Sequence, residues 1–180
     1  FKYLIDVLTD YTSNGSFQSL AENVKYLDKG YSRLIRLTDL RKNFKNKGIF
    51  ISEESHNFLK KSELFGNEIL VASVGSVGVV VKMPINKGKC SLAPNMYLVR
   101  NNIINSDTDY VLFLLNSNFV QNQLKLLITS TAQPKINKDN LKSLRVLIPP
   151  LEEQKKIKRY LTVRNEQIDL IIHKEENKIS

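Results

Sequence analysis

Residues 68–82 read EILVASVGSVGVVVK, a β-branched apolar run broken only by Gly75-Ser76-Val77-Gly78. Apolar positions this dense and this short predict two buried strands joined by a tight glycine turn. A further strand is expected over residues 96–100 (MYLVR). Residues 31–40 (YSRLIRLTDL) place Leu34, Ile35 and Leu37 around Arg36, which predicts a strand leading into the basic loop Lys45-Asn46-Lys47-Gly48. Helical spacing alternates with these runs. Ser52 followed by two acids predicts a helix from about Glu53 to Lys61, ended by Gly66-Asn67. Ser106-Asp107-Thr108-Asp109 caps a helix carrying Tyr110, Val111, Phe113, Leu114 and Leu115, and Asn118 opens another with Phe119, Val120, Leu124, Leu127 and Ile128.

Residues 144–148 read as a last short strand, stopped by Pro149-Pro150, with Pro150 suited to the first turn of a helix. From Leu151 the chain has neither Gly nor Pro and is rich in Glu, Gln, Lys, Leu and Ile, so one helix of roughly 45 Å is expected to run to Ser180. On it Ile157, Leu161, Ile168, Ile172 and Ile179 fall within an arc of roughly 60°, a stripe suited to one partner helix. The stripe is interrupted by Arg164 and Glu175, and its 4, 7, 4, 7 spacing is nearer an eleven-residue repeat than a heptad. Folding back onto the chain's own body is the competing use of that face. The expected fold is therefore α/β of the α+β kind: a mixed-sheet globular domain over residues 1–149, then a long coiled-coil-like helix over 150–180.

Composition sharpens the picture through charge. With 27 Lys+Arg against 18 Asp+Glu the chain carries +9, which suits a polyanionic partner such as nucleic acid. The excess is local: residues 29–49 carry +6, and residues 82–100 and 125–145 carry +4 each, while the C-terminal 30 residues carry only +1. If these three stretches meet in space they make a phosphate-binding field; if they do not, they are separate solvated faces. The single cysteine, Cys90, rules out an internal disulfide and a Cys-rich zinc site, and points to a reducing compartment such as the cytoplasm. No run approaches the roughly 18 apolar residues of a membrane-spanning helix. A start of Phe1-Lys2-Tyr3, without Met, reads as that of an excised fragment.

Catalytic patterns are missing. The sequence holds no G-x-G-x-x-G, no P-loop and no H-E-x-x-H. Gly75-Ser76-Val77-Gly78 is read as a strand turn, His56 and His173 as surface histidines, and Cys90 as a small half-buried loop residue. No metal site and no catalytic residue are expected.

Two landmarks remain. Thr131-Ala132-Gln133-Pro134-Lys135-Ile136-Asn137 is followed by Leu141 and then by Ile148-Pro149-Pro150-Leu151-Glu152-Glu153-Gln154-Lys155-Lys156-Ile157. Together with residues 68–78 and with residues 34–40 (LIRLTDL), they resemble the specificity subunits of type I restriction-modification systems. The resemblance implies one target recognition domain and one spacer helix, half of a subunit that reads half of a bipartite DNA target. It also implies modification subunits, which carry the S-adenosylmethionine chemistry, and restriction subunits as partners. The chain itself would bind no cofactor and catalyse nothing. A second specificity half, or a second copy, would pair through Ile157, Leu161, Ile168 and Ile172.

For DNA contact the candidates are the cations and amides of the loops. Lys42, Lys45, Lys47, Lys87 and Lys89 suit phosphate, and Arg41, Asn43, Asn46, Ser76, Asn95, Gln133 and Lys135 suit base edges, with Arg36 beside them. Rival readings are the specificity segment of a fused restriction-methylation enzyme and a helix-mediated assembly module with an incidentally basic body.

Overall fold

In the computed structural model, residues 1–129 and 132–179 are described, with side chains through residue 172 and at Lys174. Two four-stranded sheets stack face to face. The first orders β1 (Ile5–Asp10), β8 (Met96–Asn101), β5 (Ile69–Ala72) and β6 (Val80–Lys82), all antiparallel. The second orders β3 (Phe50–Ile51), β2 (Ser32–Ile35), β7 (Cys90–Leu92) and β4 (Glu63–Leu64), with the central β2 and β7 parallel.

Both faces of the first sheet are covered, which is why its central strands read as continuous apolar runs rather than as alternation. Ile69, Val71, Tyr97 and Val99 point to a core closed by α4 (Thr108–Asn116), α5 (Asn118–Leu127) and α6 (Lys138–Ser143) through Val111, Leu115, Val120, Leu124 and Leu141. Their neighbours Leu70, Met96 and Leu98 point the other way, to Ile35, Cys90 and Leu92 of the second sheet. On the far side of that sheet, Leu34 and Ile51 pack with Leu20 of α1 (Phe17–Asn23) and with Leu59, just after α3 (Glu53–Phe58). Asp107 accepts from Asp109 N and Tyr110 N to cap α4, and Ser117 accepts from Val120 N to cap α5, as the polar residues before those apolar runs predict.

Four expectations need correction. The strand of residues 31–40 ends at Ile35, and Leu37–Arg41 forms a short helix, α2, because Asp39 supplies the acid of its first turn. The helix that opens at Glu53 ends at Phe58 and continues as a 3-10 turn over Lys60–Ser62. Residues 144–148 form no strand: the Phe1 ammonium donates to Leu144 O at 2.6 Å, and side chains take up the main chain beyond it. Gln123 exchanges hydrogen bonds with Arg145 N and O, both 2.9 Å, and Tyr110 Oη donates to Leu147 O at 3.0 Å. Cys90 lies in a strand, 1% exposed, instead of in a loop.

The last helix, α7, runs Leu151–Ile179. Among the described residues no helix is long and apolar enough to cross a membrane.

Candidate nucleic-acid interface

The basic loop after β2 is built around one acid. Asp39 is fully buried, and its carboxylate accepts from Arg33 Nη2 at 2.6 Å, from Arg36 Nε and Arg36 N at 2.9 Å each, and from Asn46 Nδ2 at 2.9 Å. Burial alone would raise this carboxyl, but the bonds from Arg36, Arg33 and Asn46 hold it down at about 2. Asn43 and Phe44 then turn the chain through left-handed φ values of 46° and 61°. Phe44 lies between two cations, Arg33 at 5.0 Å and Lys87 at 4.9 Å from its ring centroid.

Arg36 and Asn46 are therefore committed within the loop, Arg36 donating also to Lys47 O at 3.0 Å. Arg41, Lys42, Asn43 and Lys45 are exposed, and among the described residues none of the three cations has an ion pair. Lys47 reaches the exposed Asp28 at 2.9 Å, a contact worth little in water.

A second group assembles where β5 and β8 meet. Gly75, at φ +74°, donates its N–H to Pro134 O at 2.8 Å, and Ile136 N donates to Ser73 O at 3.0 Å, so the loop holding Gln133 and Lys135 lies along the glycine turn. Ser73 N donates to Asn95 O at 2.9 Å, which brings Asn95 beside the same turn. Thr131 lies outside the described residues. Gln133, Lys135 and Asn95 are exposed and Ser76 is half-buried. A single hollow then runs from Val74 and Asn95 past Tyr26 to Arg36 and Thr38, joining this group to α2. The rim of this hollow carries Asn95 and Arg36, with Lys135 bridged to Val74 in its wall, and the first two basic stretches touch separately, where Lys87 meets the Phe44 ring. Lys89 points elsewhere, 3.9 Å from Glu63 Oε1.

His56 is not the surface residue its charged neighbours suggest. It is 1% exposed; Nδ1 shares a hydrogen bond with Ser91 Oγ at 2.8 Å, and Nε2 lies 3.1 Å from Glu63 Oε1. Although Ser, His and Glu form a chain, Ser91 is sealed at 0% exposure and no substrate can reach it. The network braces α3 against β4 and β7. The Cys90 thiol is pushed up to about 11 by burial, which disarms it as a nucleophile. The side chain of His173 lies outside the described residues. Among the described residues no three His, Cys, Asp or Glu side chains gather as metal ligands.

The base of α7 is anchored by the motif that precedes it. Gln154, 0% exposed, accepts from Asp107 N at 3.0 Å and donates to Asn105 O and Pro149 O at 2.9 and 2.8 Å. Lys158 pairs with Asp107 at 2.9 Å, and Ile157 packs on the helix-side core. Leu161 is half-buried, whereas Ile168 and Ile172 are 52% and 50% exposed. The predicted stripe is thus divided: its first residue serves the chain's own body and its later ones face solvent. Ile179 is outside the described side chains.

The family model described as "Type I restriction modification DNA specificity domain" matches residues 12–180. The chain belongs to that family. This specificity domain is 30% identical over 118 residues to a putative type I restriction enzyme MjaX specificity subunit of Methanocaldococcus jannaschii, a match that covers 63% of the chain and 28% of the relative. Its fold is similar to that of a type I restriction-modification S subunit from M. genitalium, with TM-score 0.59 and 20% identity, over 93% of this chain and 38% of that one. An HsdS subunit from Thermoanaerobacter tengcongensis is similar at TM-score 0.59 and 17% identity, over 84% and 37%. The specificity domain therefore spans between a quarter and two fifths of the length of these relatives.

Proposed function

We propose that this specificity domain recognises one half of a bipartite DNA target and directs a type I restriction-modification complex to it. The observation that carries the reading is the rim where the glycine turn, Asn95, the Gln133–Lys135 loop and the Asp39-centred cationic loop meet. Lys42, Lys45, Lys47 and Lys87 contact phosphates there and set register; Arg41, Asn43, Ser76, Asn95, Gln133 and Lys135 face base edges and discriminate. Arg36 and Asn46 shape the loop from within. Family membership supports the choice of double-stranded DNA over any other polyanion.

In this reading residues 1–149 are the target recognition domain and residues 150–180 the spacer helix. The chain is non-catalytic. Methyl transfer from S-adenosylmethionine belongs to a modification subunit, consistent with the lack of any glycine-rich nucleotide loop in these 180 residues, and cleavage belongs to a restriction subunit. The complex acts in the cytoplasm, where its DNA is.

The second specificity half, or a second copy, pairs along the exposed part of α7. Charge supports an antiparallel arrangement: residues 155–164 carry +5 and residues 165–176 carry −3, so reversed helices place unlike halves together.

The test is selection from a random duplex library by the chain with its modification subunit and S-adenosylmethionine. A short defined half-site is expected among retained or methylated duplexes. Retention of all sequences alike, weakening with salt, would reduce the domain to a nonspecific basic module, and no retention would leave only the assembly role of α7.

A further inference from the structure

We infer that Asp39 is the positioning residue of the cationic loop: by holding Arg33, Arg36 and Asn46 it sets the shape in which residues 41–47 meet DNA. The inference rests on the DNA-binding reading above and adds to it a residue that cannot itself touch DNA, since Asp39 is 0% exposed.

The loop's two halves are restrained differently. Its first half closes on the main chain: Asn43 N donates to Leu40 O at 3.1 Å, Phe44 N to Asp39 O at 2.8 Å and Lys45 N to Lys42 O at 3.0 Å. For residues 46–48, among the described residues, no hydrogen bond joins main chain to main chain. Their restraints are Asn46 Nδ2 on the Asp39 carboxylate, Arg33 Nη2 on Asn46 O at 3.3 Å, and Arg36 Nη2 on Lys47 O at 3.0 Å. Apart from the exposed Lys47–Asp28 pair and the bond from Asn46 Nδ2 to its neighbour Lys47 O, every one runs to Asp39 or to a guanidinium that Asp39 holds.

Electrostatics point the same way. Arg33 is largely buried, at 16% side-chain exposure, and it shares the Phe44 ring with Lys87. Asp39 is the only acid within residues 29–49. Without its charge, Arg33 and Arg36, which share its carboxylate, repel at close quarters in partly desolvated surroundings. The left-handed backbone at Asn43 and Phe44 then loses what over-determines it. A loosened loop keeps its cations but no longer holds all of them where they converge, so binding must order the loop and loses about one or two phosphate contacts, and both effects cost affinity.

Asp39→Asn keeps the shape and removes the charge. Three quantities are measured on the full chain: amide hydrogen exchange, affinity for the duplex selected above, and the slope of log affinity against log salt. The expected result is faster exchange at residues 42–47 with β5 and β8 still protected, at least a tenfold loss of affinity, and a slope shallower by about 1 to 2 as loop cations cease to converge. If β5 and β8 also lose protection, Asn46→Ala replaces it as the test. It cuts one restraint while both arginines stay paired, and severalfold weaker binding with faster loop exchange is expected. Wild-type affinity and slope in the presence of a loosened loop, or a loop that does not loosen in either variant, overturns the positioning role alone. Failure of the unsubstituted chain to bind any duplex overturns the DNA reading, and the positioning role falls with it.

Discussion

Gln154 accepts the main-chain N–H of Asp107 at 3.0 Å, joining the first turn of α7 to the N-cap of α4 across 47 residues of sequence. Its amide also donates to two carbonyls, so both donors and one acceptor position are used in a site without solvent access. Gln154→Ala is expected to destabilise the chain by about 1–3 kcal/mol, the cost of buried polar groups left without partners. Urea unfolding measures the loss, and limited proteolysis should show new cleavage around residues 150–158. Unchanged stability would mean that α7 is held mainly by Lys158 and Ile157.

The divided stripe on α7 makes its isoleucines separable. Ile157 packs on the core, so Ile157→Asp should cost about 3 kcal/mol or more of body stability. Ile168→Asp and Ile172→Asp should leave the melting temperature within about a degree or two and abolish helix pairing, because both side chains are half exposed. Sedimentation velocity beside thermal melts distinguishes the two classes. Equal destabilisation at all three positions would contradict the division.

Strong acid should loosen the cationic loop. The Asp39 carboxyl is held at about 2 against an ordinary value of 3.8, so its contribution is complete above about pH 4 and is lost as pH falls toward 2. The shift corresponds to roughly 2 kcal/mol. Measured between pH 5 and pH 2, unfolding free energy should fall less steeply in Asp39→Asn than in the unsubstituted chain. Asp10 and Asp107, also lowered against the effect of burial, Asp10 by Ser13 and then Lys138 and Asp107 chiefly by Lys158, keep part of the slope in both.

His56→Ala removes the imidazole that meets Ser91 and Glu63 inside the fold. Glu63, whose side chain is 3% exposed, would keep Lys60 at 2.6 Å but lose its buried partner, with an expected cost of about 2–4 kcal/mol by chemical denaturation. Ser91→Ala should cost less, since no charge is stranded. A neutral His56→Ala would place the residue at the surface after all.

Native Cys90 should resist alkylation at pH 8 and react at once in denaturant, because burial raises its thiol to about 11 and leaves it 1% exposed. The rate of loss of free thiol to iodoacetamide reads this directly. Rapid reaction of the folded chain would reveal opening between β7 and its neighbours.

Which elements were legible in the sequence depends on their surroundings. β5, β6 and β8 pack on both faces and so carry unbroken apolar runs, while Asp107 and Ser117 announce α4 and α5 as caps. β1 carried no such signature: its alternation is interrupted by a bulge between Ile5 and Val7, and only Thr9 in it is buried. β3 and β4 have two residues each, too few for any period, and β7 is three residues behind a run of lysines. Residues 144–148 have strand-like composition but no strand to pair with, a fact of tertiary neighbours that composition does not contain. At the interface, the cations and loop amides were visible as residue types. Asp39 was not, because a lone acid among seven bases looks like a minor correction to the charge until its partners are in place.

β8 has two ends with different duties. At Met96 it meets Ala72 and the approach to Asn95 and the glycine turn; at Asn101 it enters the segment whose Asn105 and Asp107 seat Gln154. From end to end β8 is six residues, roughly 17 Å of doubly packed strand. Side chains at the first end can be rewritten, one at a time or wholesale, without the second end feeling strain. The glycine-turn end can therefore change while the seat of Gln154 and the grip on α7 stay constant, as a lathe accepts new tools in an unchanged chuck.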